Sequence, residues 1–214
     1  MGGAHFKDDE AFVRTAVNDV RRLEARAGLT KRSRVLDWGC GAGRLAVGIK
    51  HRFGHVKDYH GVDIQPKVLG WARDHLSDKH TRFTLVDVAN ARYNPDGTPQ
   101  ASIPADPGSV DVFYAYSVWS HMTPEDVADY AAIIASILAP RGRAMLTAFV
   151  EDNVPDWTEN PIGYGPLVWS KPLHCALFER GFFYRILDQA GLRVVETDHG
   201  TETDGQSLFI LARK

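Results

Sequence analysis

Cysteine is scarce: the 214-residue chain has two, Cys40 and Cys175, far apart and in no Cys-x-x-Cys pair or zinc-ligand cluster. A disulfide scaffold and a structural zinc module are thereby excluded, and a reducing compartment fits. Charge of one sign is equally lacking. Lys and Arg number 25 against 27 Asp and Glu, leaving a formal net charge of −2, so no basic excess marks a surface for nucleic acid or anionic membrane. No stretch approaches the eighteen or so uninterrupted apolar residues of a membrane span, and the opening Met-Gly-Gly-Ala-His-Phe-Lys-Asp-Asp-Glu holds no apolar signal core. Internal repeats and low-complexity segments are absent as well. Together these point to an unprocessed cytoplasmic protein whose partner is a small molecule, with no nucleic acid, membrane or metal. Nothing in the sequence speaks to oligomeric state.

With 44% hydrophobic residues, the chain can bury one well-packed core but not two ordinary ones, so a single domain over 1–214 is expected. Its parts are an N-terminal helix segment (1–30), a core (31–150), a loop segment (151–177), and a last helix with a strand pair (178–214). Asp8, Asp9 and Glu10 suit a helix N-terminus, Val13, Val17, Val20, Leu23 and Ala27 share one helical face, and Gly28 ends it. From there strands and helices alternate: strand 33–38, a glycine turn, helix 44–53, strand 59–63, helix 66–76, strand 81–88. That alternation predicts an α/β, Rossmann-like doubly wound sheet, mostly parallel. A turn-rich loop spans 89–109, then a strand at 110–116. Thr123-Pro-Glu-Asp126 is an N-cap followed by a proline at the first helical position, opening a helix to Leu138 that Pro140-Arg-Gly142 stops. Further strands fall at 143–150, 192–197 and 207–212, the last two reading as an antiparallel pair, with a helix at 178–190 before them. Residues 151–173 hold four prolines beside Trp157, Tyr164 and Trp169, a mixture that predicts an ordered but irregular functional loop.

The densest chemistry lies in Val35-Leu-Asp-Trp-Gly-Cys-Gly-Ala-Gly43. Glycines between a buried strand and a helix let the backbone approach a ligand and aim helix N–H groups at it. The dinucleotide fingerprint spaces its glycines G-x-G-x-x-G, but Gly39, Gly41 and Gly43 give G-x-G-x-G with Arg44 in the third place. The run resembles motif I of the class I S-adenosylmethionine-dependent methyltransferases, and the resemblance continues downstream. Leu36-Asp-Trp-Gly-Cys-Gly41, Trp71 and Ser117-Val-Trp-Ser-His-Met122 look like a bacterial subgroup of small methyltransferases. Pro140-Arg-Gly142 departs from the family's Pro-Gly-Gly. The similarity covers about residues 31–150 and the last helix and strand pair.

The resemblance implies S-adenosylmethionine as cofactor, with Gly39, Cys40, Gly41 and Gly43 in the turn beneath it and Asp37 acting through its amino group and nearby water, the structural alternative for Asp37 being a cap on the adjacent turn. It implies that Asp63 accepts from the ribose hydroxyls, that Ile64 lies against the adenine, that Asp87 beside Val88 meets the adenine amino group, and that Ser117 ends a strand beside the methionine part. The acceptor pocket should lie outside the carboxyl ends of the strands. Ser117 to His121, Trp119 included, would floor it, with Tyr164, Trp169 and His174 in a lid. An oxygen acceptor must lose a proton, and His121 is the candidate base. A hydroxyl is therefore favoured over an amine. Two other readings share parts of this pattern: a catalytically silent S-adenosylmethionine-binding partner, and an NAD(P)-dependent oxidoreductase. Elsewhere, Cys40 reads as small filler, Trp71 as core packing, and His51 with His55 as a solvated pair.

Overall fold

The computed structural model describes residues 8–214, so the first seven residues of the 1–30 segment lie outside the described residues. Helix α1 (Asp9–Ala27) begins where the Asp8 carboxylate accepts the Ala11 N–H at 2.6 Å and ends at Gly28 with φ 70°. Its buried residues are Ala11, Ala16, Asp19, Val20, Leu23 and Ala27. Val13 and Val17, assigned to that face from their spacing, are only half-buried. The face is rotated because Asp19 points inward, paired with Arg44 and accepting from Tyr114 Oη at 2.7 Å.

The alternating core follows as β1 (Arg34–Trp38), α2 (Arg44–Phe53), β2 (Asp58–Asp63), α3 (Pro66–Leu76), β3 (Thr81–Leu85), β4 (Val110–Ala115), α4 (Pro124–Ile137) and β5 (Leu138–Glu151). These strands lie side by side in the order β3-β2-β1-β4-β5, all parallel. Strand order reverses between β1 and β4, the crevice where open α/β sheets hold ligands. Alternate side chains serve two cores: Leu36, Trp38 and Phe113 face α4, while Val35, Val112 and Tyr114 face α1, α2 and α3. The doubly wound sheet is thus the architecture adopted. The α4 start is a full capping box, Thr123 Oγ1 accepting from Asp126 N at 3.2 Å and the Asp126 carboxylate accepting from Thr123 N at 3.0 Å.

Beyond β5 come β6 (Trp157–Glu159), β7 (Ala176–Glu179), α5 (Arg180–Gln189), β8 (Leu192–Asp198) and β9 (Ser207–Arg213). Strand β5 is long enough to take two further partners besides β4. Ala144–Ala148 pair antiparallel with β9, itself antiparallel to β8, whereas Phe149–Glu151 pair parallel with β7. The 151–177 segment is therefore not wholly irregular: its ends form an antiparallel β6–β7 pair that extends the sheet, and the proline-rich stretch between them is carried on this pair. Trp71 also departs from expectation. It is 48% exposed and stacks on His75, because α3 buries Leu69, Ala72 and Leu76 instead. His55 lies past the end of α2 and stacks on His80 at 4.0 Å between ring centroids.

Candidate active site

The turn after β1 is built by glycines in a left-handed backbone that other residues adopt only with strain. Gly39, Gly41 and Gly43 have φ of 78°, 54° and 77°. A Cβ on Gly39 would meet Val118 Cγ2 at 2.4 Å, so the turn and the chain leaving β4 touch directly. The end of β2 is fastened to the same turn. Asp63 Oδ2 accepts the Gly41 N–H and Oδ1 accepts the Gln65 N–H, each at 2.8 Å. Each carboxylate oxygen can accept a second hydrogen bond, and Asp63 borders the crevice. Burial raises its pKa, against the pull of these backbone donors. Cys40 is buried, and burial next to Asp37 and Asp63 pushes its thiol well up, which makes it filler and not a nucleophile.

Asp37 is buried within β1 and accepts from Tyr59 Oη at 2.5 Å. Burial drives its pKa to about 7, even with Tyr59 and the Arg44 guanidinium favouring the charged form. A carboxyl so poised ionises readily once a cation comes near. Arg44 itself is committed: it pairs with Asp19, donates to Tyr114 Oη at 3.2 Å and lies over the Tyr116 ring.

After β4 the chain turns sharply at Ser117, a non-glycine residue at φ 57°. A buried network holds that strain. Ser117 N donates to Thr147 Oγ1 at 2.8 Å, Thr147 Oγ1 donates to Gln206 Oε1 at 2.7 Å, and Gln206 Nε2 donates to Ser117 Oγ at 2.6 Å. A 3-10 turn (Trp119–His121) follows and delivers His121. Its Nδ1 is 2.8 Å from the carbonyl oxygen of Leu173, a residue also held left-handed at φ 47°. Because a carbonyl can only accept, the proton resides on Nδ1 and Nε2 keeps its lone pair. Burial lowers the His121 pKa to about 4, with the Arg92 charge adding to the effect and the Leu173 carbonyl opposing it.

Two adjoining cavities open at the β1–β4 crevice. The smaller, about 140 Å3, is bordered by Trp38, Asp63, Ile64, Val88, Met122 and Tyr130. The larger, about 580 Å3, is bordered by Asp37, Cys40, Gly41, Arg92, Trp169 and His174. Gly39, Tyr93, Tyr116, Ser117 and His121 border both. Trp169 and His174 reach the larger cavity from the segment between β6 and β7, Trp169 packing edge-on against Phe149 and His174.

Of the residues singled out from sequence, the structure brings together Asp37, Gly39, Cys40, Gly41, Asp63, Ile64, Val88, Ser117, His121, Trp169 and His174. Four border neither cavity. Trp119 points into the core, fully buried edge-on to Phe183, because the 3-10 turn directs it beneath the floor it was expected to line. Tyr164 donates to Glu151 at 3.2 Å and packs on Phe149, facing a different groove. Gly43 serves packing, since a Cβ there would meet Leu76 Cδ1 at 2.5 Å. The exposed Asp87 carboxylate accepts from Asn94 Nδ2 at 3.1 Å and Thr98 Oγ1 at 3.4 Å, so it braces its own loop. Sequence reading missed Asn90, Arg92, Tyr93, Tyr116 and Gln206. An arginine-tyrosine pair inside an otherwise turn-forming run was the one signal available for the first three.

Residues 10–197 match a family described as a methyltransferase domain. Solved structures share the fold. Magnesium protoporphyrin IX methyltransferase from Synechocystis PCC 6803, with bound SAM, superposes with a TM-score of 0.61 at 18% identity, covering 100% of this chain and 86% of that one. Geranyl diphosphate C-methyltransferase from Streptomyces coelicolor A3(2), in complex with Mg2+, geranyl diphosphate and S-adenosyl-L-homocysteine, gives 0.62 at 14% identity, covering 99% and 85%. The [4+2]-cyclase SpnF gives 0.65 at 15% identity, covering 94% and 82%.

Proposed function

The chain belongs to the methyltransferase-domain family, and from that premise we propose that it transfers a methyl group to a hydroxyl of a small-molecule acceptor, with His121 receiving the proton. The enzyme is a methyltransferase and its cofactor is S-adenosylmethionine, so the oxidoreductase reading lapses. The residues present suit that cofactor. At Gly41 the left-handed turn leaves room a Cβ would fill, the buried Asp63 carboxylate retains acceptor capacity for two ribose hydroxyls, and Ile64 and Val88 offer apolar surface for a base. Asp37 and Ser117 border the other end, where an ammonium would draw Asp37 into its charged form. When bound, the cofactor supplies a sulfonium methyl already activated for in-line displacement.

The protein's own work is then to hold, orient and dry the reactants and to take one proton. Trp169 and His174 cover the acceptor side, and the Leu173 carbonyl keeps the His121 tautomer in which Nε2 can accept. This hydrogen bond at the junction of the two cavities is the observation that carries the proposal. A neutral amine has a lone pair ready and needs no base, whereas a hydroxyl does. His121→Ala should fold and bind S-adenosylhomocysteine as wild type does. It should lose about 100-fold or more of the transfer of labelled methyl from S-adenosylmethionine into the small molecules of a cognate lysate. Wild-type transfer by this variant would remove His121 as the base. No transfer by the wild type, with cofactor binding intact, would favour a silent binding partner.

A further inference from the structure

The larger cavity is bordered by a cation, Arg92, that no carboxylate of the described residues pairs with. Arg92 lies on the turn after β3, where its N–H and that of Tyr93 both donate to Asn90 Oδ1 at 3.1 Å. Asn90 Nδ2 in turn donates to the His121 carbonyl at 2.9 Å. One asparagine therefore ties the loop carrying Arg92 to the loop carrying the base. The guanidinium carbon is 5.4 Å from the Tyr93 ring centroid, and that ring stands edge-on to His121 at 5.3 Å.

Arg22, Arg26, Arg34 and Arg44 are each paired with a carboxylate. Arg92 pairs with none among the described residues: its Nε is buried with no hydrogen-bond partner, and Nη1 reaches only the Ser170 carbonyl at 3.5 Å. Of the acids bordering the cavity, Asp37 accepts from Tyr59, and no ion pair joins Asp37 or Asp204 to Arg92 among the described residues. His174 Nδ1 accepts the Ser170 N–H at 3.1 Å, so the ring's remaining N–H is a neutral donor bordering the same space.

A guanidinium with a buried N–H that meets no acceptor and no carboxylate partner is costly, and a carboxylate placed in the cavity can take two parallel hydrogen bonds from the group. We propose that the acceptor is a small hydroxylated carboxylic acid, its carboxylate held by Arg92 and its hydroxyl presented to His121. The inference rests on the methyl-transfer reading above and adds the acceptor's charge. A single arginine with one neutral histidine matches the two oxygens of a carboxylate, whereas a phosphate dianion asks for more donors. Trp169 and Tyr93 provide flat apolar walls for the body of such a molecule. The two ends are close enough for a small compound, since the guanidinium carbon and the His121 ring centroid are at most about 11 Å apart.

The test uses the whole protein saturated with S-adenosylhomocysteine and three probes, benzoate, benzamide and phenyl phosphate, titrated by NMR. Benzoate should bind saturably and about tenfold tighter than benzamide. Arg92→Gln should erase that preference, and Arg92→Lys should keep part of it. S-adenosylhomocysteine affinity and the melting temperature should stay unchanged in both variants. Equal binding of benzoate and benzamide, no Arg92-dependent benzoate binding, or tighter Arg92-dependent binding of phenyl phosphate would overturn the proposal. So would a large loss of S-adenosylhomocysteine affinity in Arg92→Gln, which would give Arg92 to the cofactor's own carboxylate. Failure of the wild type to bind S-adenosylhomocysteine would instead overturn the methyl-transfer reading itself.

Discussion

The imidazole Nδ1 of His121 and the carbonyl oxygen of Leu173 meet at 2.8 Å across 52 residues of chain. That contact fixes the tautomer, and burial holds the ring neutral down to about pH 4. Because a base must be unprotonated to act, kcat/KM for the acceptor, measured with S-adenosylmethionine saturating so that Asp37 is already held ionised, should stay level from about pH 8 to pH 5.5 and fall only as pH approaches 4. A pH–rate profile that breaks near 6.5, the value of a free imidazole, would contradict this environment for His121.

Stability should respond to acid through two opposing groups. His60 and His121 have pKa values of about 4 in the native protein, against about 6.5 in the unfolded chain. Over that window the unfolded chain binds more protons, so stability falls as pH drops, by about 1.4 kcal/mol per unit for each histidine at full slope. Asp37 works the other way. Its pKa of about 7 exceeds the unfolded value of 3.8, so it contributes stability that is full below 3.8 and lost as pH rises through 7. Two histidines outweigh one carboxyl, and the protein should weaken on acidification. Asp37→Asn removes the opposing contribution and should steepen the loss. Urea titrations at pH 7 and pH 5 that give the same difference for variant and wild type would contradict the assignment.

Gly39 and Gly41 share a left-handed backbone but not the same surroundings. An added Cβ meets Val118 Cγ2 at 2.4 Å at Gly39 but nothing nearer than Val68 Cγ1 at 4.0 Å at Gly41. Gly41→Ala should therefore cost about 1 to 2 kcal/mol from backbone strain alone. Gly39→Ala should cost about 2 to 4, strain and overpacking together. Val118→Ala placed on the Gly39→Ala background should recover part of the difference. Equal losses in chemical denaturation would show that the contact with Val118 yields at no cost.

Two tryptophans near the site divide between core and cavity. Trp119 is fully buried against Phe183, and Trp119→Ala should cost about 3 to 5 kcal/mol. Trp169 is half-buried at the cavity wall, so Trp169→Ala should leave the thermal midpoint nearly unchanged while raising KM for the acceptor. A variant that unfolds at Trp169 and is tolerated at Trp119 would reverse these roles.

What could be read in advance depended on how locally each feature is encoded. Strand, glycine turn and helix follow one another within Val35–Phe53, and the Thr123–Asp126 capping box is four adjacent residues, so both were legible. Asp63, Ile64 and Ser117 sit at strand ends, where position along the chain already implies position at the crevice. Trp71 and Trp119 were misplaced because their burial depends on which side of a helix or tight turn meets the sheet, and the sheet is assembled from distant segments. The β6–β7 pair was hidden for a similar reason: Trp157–Glu159 is three residues long and gains its partners only from Ala176–Glu179. Arg92 and Gln206 were invisible as site residues because a turn near position 90 and the start of β9 reach the crevice only after folding.

In the proposed mechanism S-adenosylmethionine binds at the β1–β4 crevice with Asp63 holding its ribose. Calorimetric titration of S-adenosylhomocysteine into wild type, Asp63→Ala and His121→Ala tests it most directly. The wild type and His121→Ala should bind alike, and Asp63→Ala should bind about 10- to 150-fold more weakly, the loss of charge-assisted hydrogen bonds worth about 1.5 to 3 kcal/mol. No binding by the folded wild type, or undiminished binding by Asp63→Ala, would contradict the account.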